Sequence, residues 1–161
     1  MKILVVSDTH RKDDNLKLVL SEECPLDMLI HLGDAEGSEH FIPDWVNPEC
    51  RMEMVLGNND FFSRLDRDRE IDIAGHKAFI THGHYYGVSM GPEGLVDEAK
   101  SRGCDIAMYG HTHRPFLDVI DGVTVLNPGS LSYPRQEGRR PSYMIIHVDA
   151  DGKMDYQQKY L

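Results

Sequence analysis

Lys2-Ile3-Leu4-Val5-Val6-Ser7-Asp8-Thr9-His10 is the stretch on which the fold turns. Ile3 to Val6 are apolar without alternation, the pattern of a strand buried on both faces at the centre of a sheet. Close behind them come a carboxylate and an imidazole two residues apart. Asp13 and Asp14 then offer caps for a helix in which Leu16, Val19 and Leu20 keep helical spacing, and Asp27 to Leu32 repeats the apolar run. Strand, helix and strand in that order read as a parallel β-α-β unit.

Further along, Arg51 to Leu56 predicts a third strand, and Ile71 to Ala74 with Lys77 to Thr81 predict a hairpin about Gly75. Pro92 opens a second helix with Leu95, Val96 and Ala99 on its inner face and Gly103 at its stop, before a strand at Asp105 to Tyr109. Two hairpins close the chain. Phe116 to Ile120 meets Val123 to Leu126 across Asp121-Gly122, and Tyr143 to Val148 meets Met154 to Tyr160 across Asp151-Gly152. Parallel units early and hairpins late predict two packed sheets flanked by helices, in a single domain spanning residues 1–161.

A chain of 161 residues, 40% hydrophobic and 27% charged, has room for one sizeable core and is not too polar to collapse. Seventeen basic against 27 acidic side chains give a net charge of -10, the wrong sign for a general nucleic-acid clamp or an anionic membrane. Bound divalent cations would reverse that potential locally. Cys24, Cys50 and Cys104 form no C-x-x-C pair, which argues against a disulfide scaffold and for small core residues in a reducing compartment. The apolar run at the amino terminus is too short for a signal-peptide core or a bilayer span, so a cytoplasmic location is expected.

Five polar clusters each follow an apolar run: Asp8-Thr9-His10, Gly33-Asp34, Gly57-Asn58-Asn59-Asp60, His82-Gly83-His84 and Gly110-His111-Thr112-His113. They therefore lie where strands hand over to loops, the edge at which open α/β sheets bind ligands. In an extended segment, residues two apart project to one side, so Asp8 with His10 and His111 with His113 are expected to act as pincers on one point. Oxygen and imidazole donors without thiolate suit manganese, iron, cobalt, nickel or a catalytic zinc.

With these motifs in this order, and with Asn127-Pro128-Gly129-Ser130 behind them, nearly the whole chain resembles the calcineurin-like metallophosphoesterases, in particular their small bacterial and archaeal phosphodiesterases. The resemblance implies a four-layer α/β/β/α sandwich with two mixed sheets. It implies two divalent ions, manganese favoured over iron, nickel, cobalt or zinc, roughly 3.5–4 Å apart. Asp8, His10 and His113 would take the first ion, and Asn58, His82 and His111 the second, with Asp34 bridging. One anionic bridge offsets the repulsion of two dications, while neutral Asn and His leave them strongly Lewis acidic. The implied activity is a dinuclear metal-dependent phosphodiesterase, in which a metal-bridging hydroxide attacks phosphorus in line on a small phosphodiester.

Larger members of that family carry His where Asn59 stands. Asn59 can donate a hydrogen bond to phosphate but cannot transfer a proton at neutral pH, so phenolate leaving groups should be favoured over alkoxides. His84 is the alternative acid or orienting group, Asp60 an acceptor that fixes an imidazole or Asn58, and Arg135 a bidentate donor to substrate phosphate. Taken singly, Asp8 reads as a turn residue, Asp34 as a helix cap, Asn58 as a left-handed loop position and Arg135 as a solvated cation. His31, His40, His76 and His147 are expected to be packed or exposed rather than functional. Trp45, Phe61, Phe62, Tyr85 and Tyr86 fit core lids or subunit contacts, and Phe61 with Phe62 favours a homo-oligomer. The rival functions are a noncatalytic protein-interaction scaffold on the same fold and a phosphomonoesterase or short-oligonucleotide nuclease. An extended nucleic-acid track is not expected on so acidic a chain.

Overall fold

The computed structural model describes residues 1–161. β1 (Lys2–Val6), β2 (Met28–His31) and β3 (Arg51–Met54) pair in parallel, and α1 (Asp14–Glu23) makes the crossover between the first two. β9 (Ser142–Val148) runs antiparallel against β1, and β10 (Met154–Tyr160) against β9, giving one sheet of order β10-β9-β1-β2-β3. In the second sheet β5 (His76–Thr81), β6 (Ile106–Met108) and β8 (Val123–Pro128) are parallel, with α2 (Glu93–Ser101) between β5 and β6 in sequence. β4 (Asp68–Ile73) and β7 (Pro115–Ile120) are its antiparallel edges.

The period-two alternation of strands separates three apolar cores. Ile3, Val5, Met28 and Ile30 face Ile73, Ala78, Ile80 and Met108 between the sheets. Leu4, Val6 and Leu29 point the other way, onto Leu16, Val19 and Leu20 of α1. Phe79, Ala107 and Val125 take Leu95, Val96 and Ala99 of α2 on the far face. The result is the four-layer α/β/β/α sandwich, and no helix is long and apolar enough to cross a membrane.

Three local expectations change. β4 begins at Asp68 rather than Ile71, because its first residues are held by polar pairs to β5 and to β3 of the other sheet. Thr81 Oγ1 donates to Asp68 at 2.8 Å, Lys77 meets Glu70 at 3.0 Å, and Arg69 meets Glu53 at 2.7 Å. Asp13 stands at the amino end of α1 without a side-chain cap bond, its Oδ2 accepting instead from Ser38 Oγ at 2.6 Å. Single 3-10 turns occupy Ser38–His40, Ile42–Trp45 and His84–Tyr86, too short to leave a periodic signal. Each sheet thus has a core of three parallel strands, and all five polar clusters lie just past their carboxyl ends.

Candidate metal centre

Asp8, His10, Asp34, His111 and His113 all adopt left-handed backbone conformations, with φ of 55°, 48°, 59°, 66° and 59°. The extended-segment pincer is therefore corrected: sharp turns, not a continued strand, aim these side chains. His111 and His113 also part company, since His111 Nδ1 lies 3.0 Å from Asn58 Oδ1 while His113 Nε2 lies 3.2 Å from His10 Nε2. Left-handed positions cost an ordinary residue about 1–2 kcal/mol each, least for Asp, Asn and His, and persist where surroundings over-determine them.

Those surroundings are hydrogen bonds between loops. The Asp8 and His10 N–H groups donate to the carbonyls of Gly33 (3.0 Å) and Asp34 (2.9 Å), joining the ends of β1 and β2. Across the sandwich, the His111 N–H donates to Asp8 Oδ2 (3.0 Å) and Ser130 Oγ to the Asp8 carbonyl (2.8 Å). Two glycines permit the close approach. A Cβ on Gly57 would fall 2.1 Å from Asp34 Oδ1 and 2.3 Å from its backbone nitrogen, and one on Gly110 would fall 2.0 Å from Ser7 Oγ.

What converges is a set of acceptors. Asp8 Oδ1 is buried and has no hydrogen-bond donor, although Nε2 of His113, His10 and His82 surround it at 3.2, 3.7 and 3.7 Å. Asp34 Oδ2 lies 3.5 Å from His82 Nε2 and 3.8 Å from His10 Nε2. The far nitrogens fix the tautomers: His82 Nδ1 donates to the Leu32 carbonyl (2.6 Å) and His113 Nδ1 to the Tyr133 carbonyl (2.7 Å), leaving each neutral Nε2 a lone pair toward the centre. His10 Nδ1 is held by Glu36 at 3.1 Å. Lone pairs and carboxylate oxygens facing one another repel unless a proton or a cation lies among them, so this donor set fits divalent metal. The ligand atoms of Asp8, His10 and His113 lie within 4.8 Å of one another, as do those of Asp8, Asp34 and His82, placing Asp8 in both halves.

Without a cation, protons on the imidazoles take its place between the carboxylates. Burial alone would raise the Asp8 carboxyl, but the His10 and His113 imidazoles hold it far below the usual carboxylate range. Burial likewise opposes ionised Asp34, and His82 with two Asn59 donors brings it down to about 2. His10 is pushed up to about 9, its burial outweighed by Asp8 and Glu36. Burial and the neighbouring His82 lower His111 and His84 instead.

The remaining residues fall into place unevenly. The Asn59 backbone N–H and side-chain amide donate to Asp34 Oδ1 and Oδ2, each at 2.8 Å, so this residue grips the central carboxylate. Asp60 fixes neither an imidazole nor Asn58. It accepts the backbone N–H groups of Asp34 (2.8 Å), Glu36 (2.7 Å) and Gly57 (2.7 Å), because the tight loops expose donors there. His84 packs its ring on His82 and His111, with centroids 5.4 and 6.0 Å away. Arg135 is exposed at the rim, its N–H donating to the His113 carbonyl at 3.0 Å.

Some supporting residues carried no readable role in the sequence. His31 is buried and works for the site, its Nδ1 accepting from the Gly33 N–H (3.2 Å) and its Nε2 donating to Thr9 Oγ1 (3.0 Å). The Asn127 amide donates to the Gly110 carbonyl (2.9 Å) and to Thr112 Oγ1 (3.0 Å), bracing the turn that presents His111. Only the place of Asn127 in the Asn-Pro-Gly-Ser motif hinted at this. Phe61 and Phe62, 79% and 100% exposed, stand on the loop after Asn59.

Comparison with known proteins agrees with this picture. Residues 1–151 match the model of the calcineurin-like phosphoesterase superfamily domain. Over 150 residues the chain is 33% identical to a probable metallophosphoesterase of Mycoplasma pneumoniae, covering 91% of this chain and 89% of that one. Among solved structures it is similar to one described as a novel archaeal phosphodiesterase, with TM-score 0.78 and 27% identity over the full length of both chains. It also shares its fold with Vps29 of Entamoeba histolytica, solved in complex with zinc, at TM-score 0.75 and 20% identity over 99% of each chain. On sequence and on architecture, this chain belongs to the calcineurin-like phosphoesterase superfamily.

Proposed function

We propose that this protein is a metal-dependent phosphodiesterase with a dinuclear centre carried by a single domain, residues 1–161. The observation that carries the reading is the buried, donor-free Asp8 Oδ1 ringed by imidazole nitrogens. Asp8, His10 and His113 would hold one ion, and Asn58, His82 and His111 the other, with Asp34 shared. Manganese is taken as the native ion on the resemblance to the family, and the oxygen and imidazole set suits iron, nickel, cobalt and zinc as well. Two such ions supply positive charge for the phosphoryl oxygens and a water acidic enough to serve as nucleophile near neutral pH.

The chain's own residues do the positioning. Glu36, the Leu32 carbonyl and the Tyr133 carbonyl orient three imidazoles, so that ligand geometry does not depend on the substrate. Asn59 keeps Asp34 in place and can offer an amide hydrogen to a phosphate oxygen, without proton transfer to a leaving group. His84, its basicity lowered by burial and by His82, is read as carrying no proton to donate near neutral pH and as supporting the neighbouring rings. Arg135, exposed at the rim, is read as a bidentate donor to a substrate phosphate. The substrate is read as a small phosphodiester and the location as cytoplasmic, and Phe61 with Phe62 as a contact between copies of the chain.

A noncatalytic scaffold is the second reading, favoured by the fold shared with Vps29. Metal content together with hydrolysis of bis(p-nitrophenyl) phosphate in added manganese separates the two. Asp34→Asn and His111→Ala are expected to lose at least about a hundredfold in turnover with folding retained. Wild-type rates in either variant would overturn the ligand assignments, and a metal-loaded protein that cleaves no phosphate ester would favour the scaffold.

A further inference from the structure

One flank of the candidate centre is crowded with unneutralised arginine. Arg114 follows His113 directly in the chain, and Arg135 is tied to the His113 carbonyl through its backbone N–H at 3.0 Å. Arg139 stands at a left-handed position, φ 45°, in a turn closed by its N–H on the Gln136 carbonyl at 3.0 Å. With His10, His113 and Tyr133 they line a groove of about 760 Å³ that opens beside the metal-binding side chains. In a chain with 27 acidic residues, Arg51, Arg67, Arg69 and Arg102 each find a carboxylate within 4.0 Å; Arg114, Arg135 and Arg139 find none, as do Arg11, Arg64 and Arg140, but Arg114, Arg135 and Arg139 also share one groove. The one acid in the groove wall, Glu36, already has its Oε1 bound by His10 at 3.1 Å. Lys12, 4.4 Å above the Tyr133 ring, adds to the positive field.

A diester phosphate carries one negative charge, which two divalent ions already balance after the charges of Asp8, Asp34 and a hydroxide are counted. Three further guanidinium groups on one side exceed what that group requires. Their forked geometry matches a phosphate dianion, and clustered like charges are best relieved by such a ligand. We infer that the substrate is a phosphodiester bearing a second phosphate group, and that Arg114, Arg135 and Arg139 hold that second phosphate while the metal side chains take the ester. This inference rests on the phosphodiesterase reading above.

Two measurements on the manganese-loaded protein test it. Calorimetry compares thymidine 3′,5′-bisphosphate with thymidine 5′-monophosphate, and kinetics compares p-nitrophenyl thymidine 5′-phosphate with and without a 3′-phosphate. The doubly phosphorylated compound is expected to bind at least about tenfold tighter, with the same ratio in kcat/KM carried mainly by KM. In Arg114→Gln/Arg139→Gln both ratios should shrink to within about threefold, with an unchanged melting temperature showing that the fold is intact. Equal binding of the two nucleotides by wild type, or a ratio that survives the double substitution, overturns the inference. A wild-type binding ratio that the double substitution abolishes, in a protein that cleaves neither ester, keeps the second-phosphate pocket and sinks the phosphodiesterase reading alone.

Discussion

Glu23, at the end of α1, collects Lys2 at 2.7 Å, the Tyr143 hydroxyl at 2.9 Å and Lys159 around its carboxylate, whereas Asp8, just past β1, keeps one buried oxygen without a donor. Both groups are buried and both are held ionised. Burial raises Glu23, but Lys159 with Lys2 and Tyr143 wins and brings it down to about 2. A carboxylate saturated by its own chain ties helix to sheet. A carboxylate left open, on backbone turned into left-handed conformations, spends stability on a place for something from outside.

If the two regions are divided in this way, removing metal should silence one and spare the other. Chelation of the holoprotein is expected to reduce turnover by at least about a hundredfold, reversibly on adding manganese, while the far-ultraviolet circular dichroism stays native. Unfolding on chelation would break the comparison. Gly57→Ala comes next. Its Cβ must displace Asp34, so metal affinity should fall about 10–100-fold by titration calorimetry, with a stability loss of about 1–3 kcal/mol.

Glu23→Gln should act on stability alone, costing about 1–3 kcal/mol at pH 7 and leaving turnover at 25 °C unchanged. Because the folded value is depressed, the stabilisation is complete above the ordinary value of 4.5 and fades as pH falls toward 2, so wild type and variant should converge across that window in urea melts. A constant gap down to pH 2 would show that packing, not charge, is responsible. The smallest effect is expected for Phe62→Ser, whose ring is fully exposed. Monomer stability should move by no more than about 0.5 kcal/mol, and light scattering should show a smaller assembly if the Phe61-Phe62 loop joins two copies.

Much of this architecture could be read from local patterns. Unbroken runs such as Ile3–Val6 mark strands shielded on both sides, and Asp121-Gly122, both at positive φ (50° and 79°), forms the turn that its composition announces. The clusters after the strands could be read too, since a strand end in a parallel sheet is a place before it is a contact. Their detailed geometry could not. Nothing local says that Asp60 serves three backbone N–H groups or that His31 bonds to Gly33 and Thr9.

By itself, then, the order of residues determined the strands, the layering and the chemical identity of the donors, because periodicity and side-chain type are properties of neighbours along the chain. Only the tertiary structure decided which nitrogen of each imidazole faces inward, which oxygen of Asp8 stays bare, and which arginines share a groove. Those outcomes depend on partners up to about 120 residues apart, such as Asp8 with Ser130 across the sandwich, and no local pattern encodes a distance of that kind.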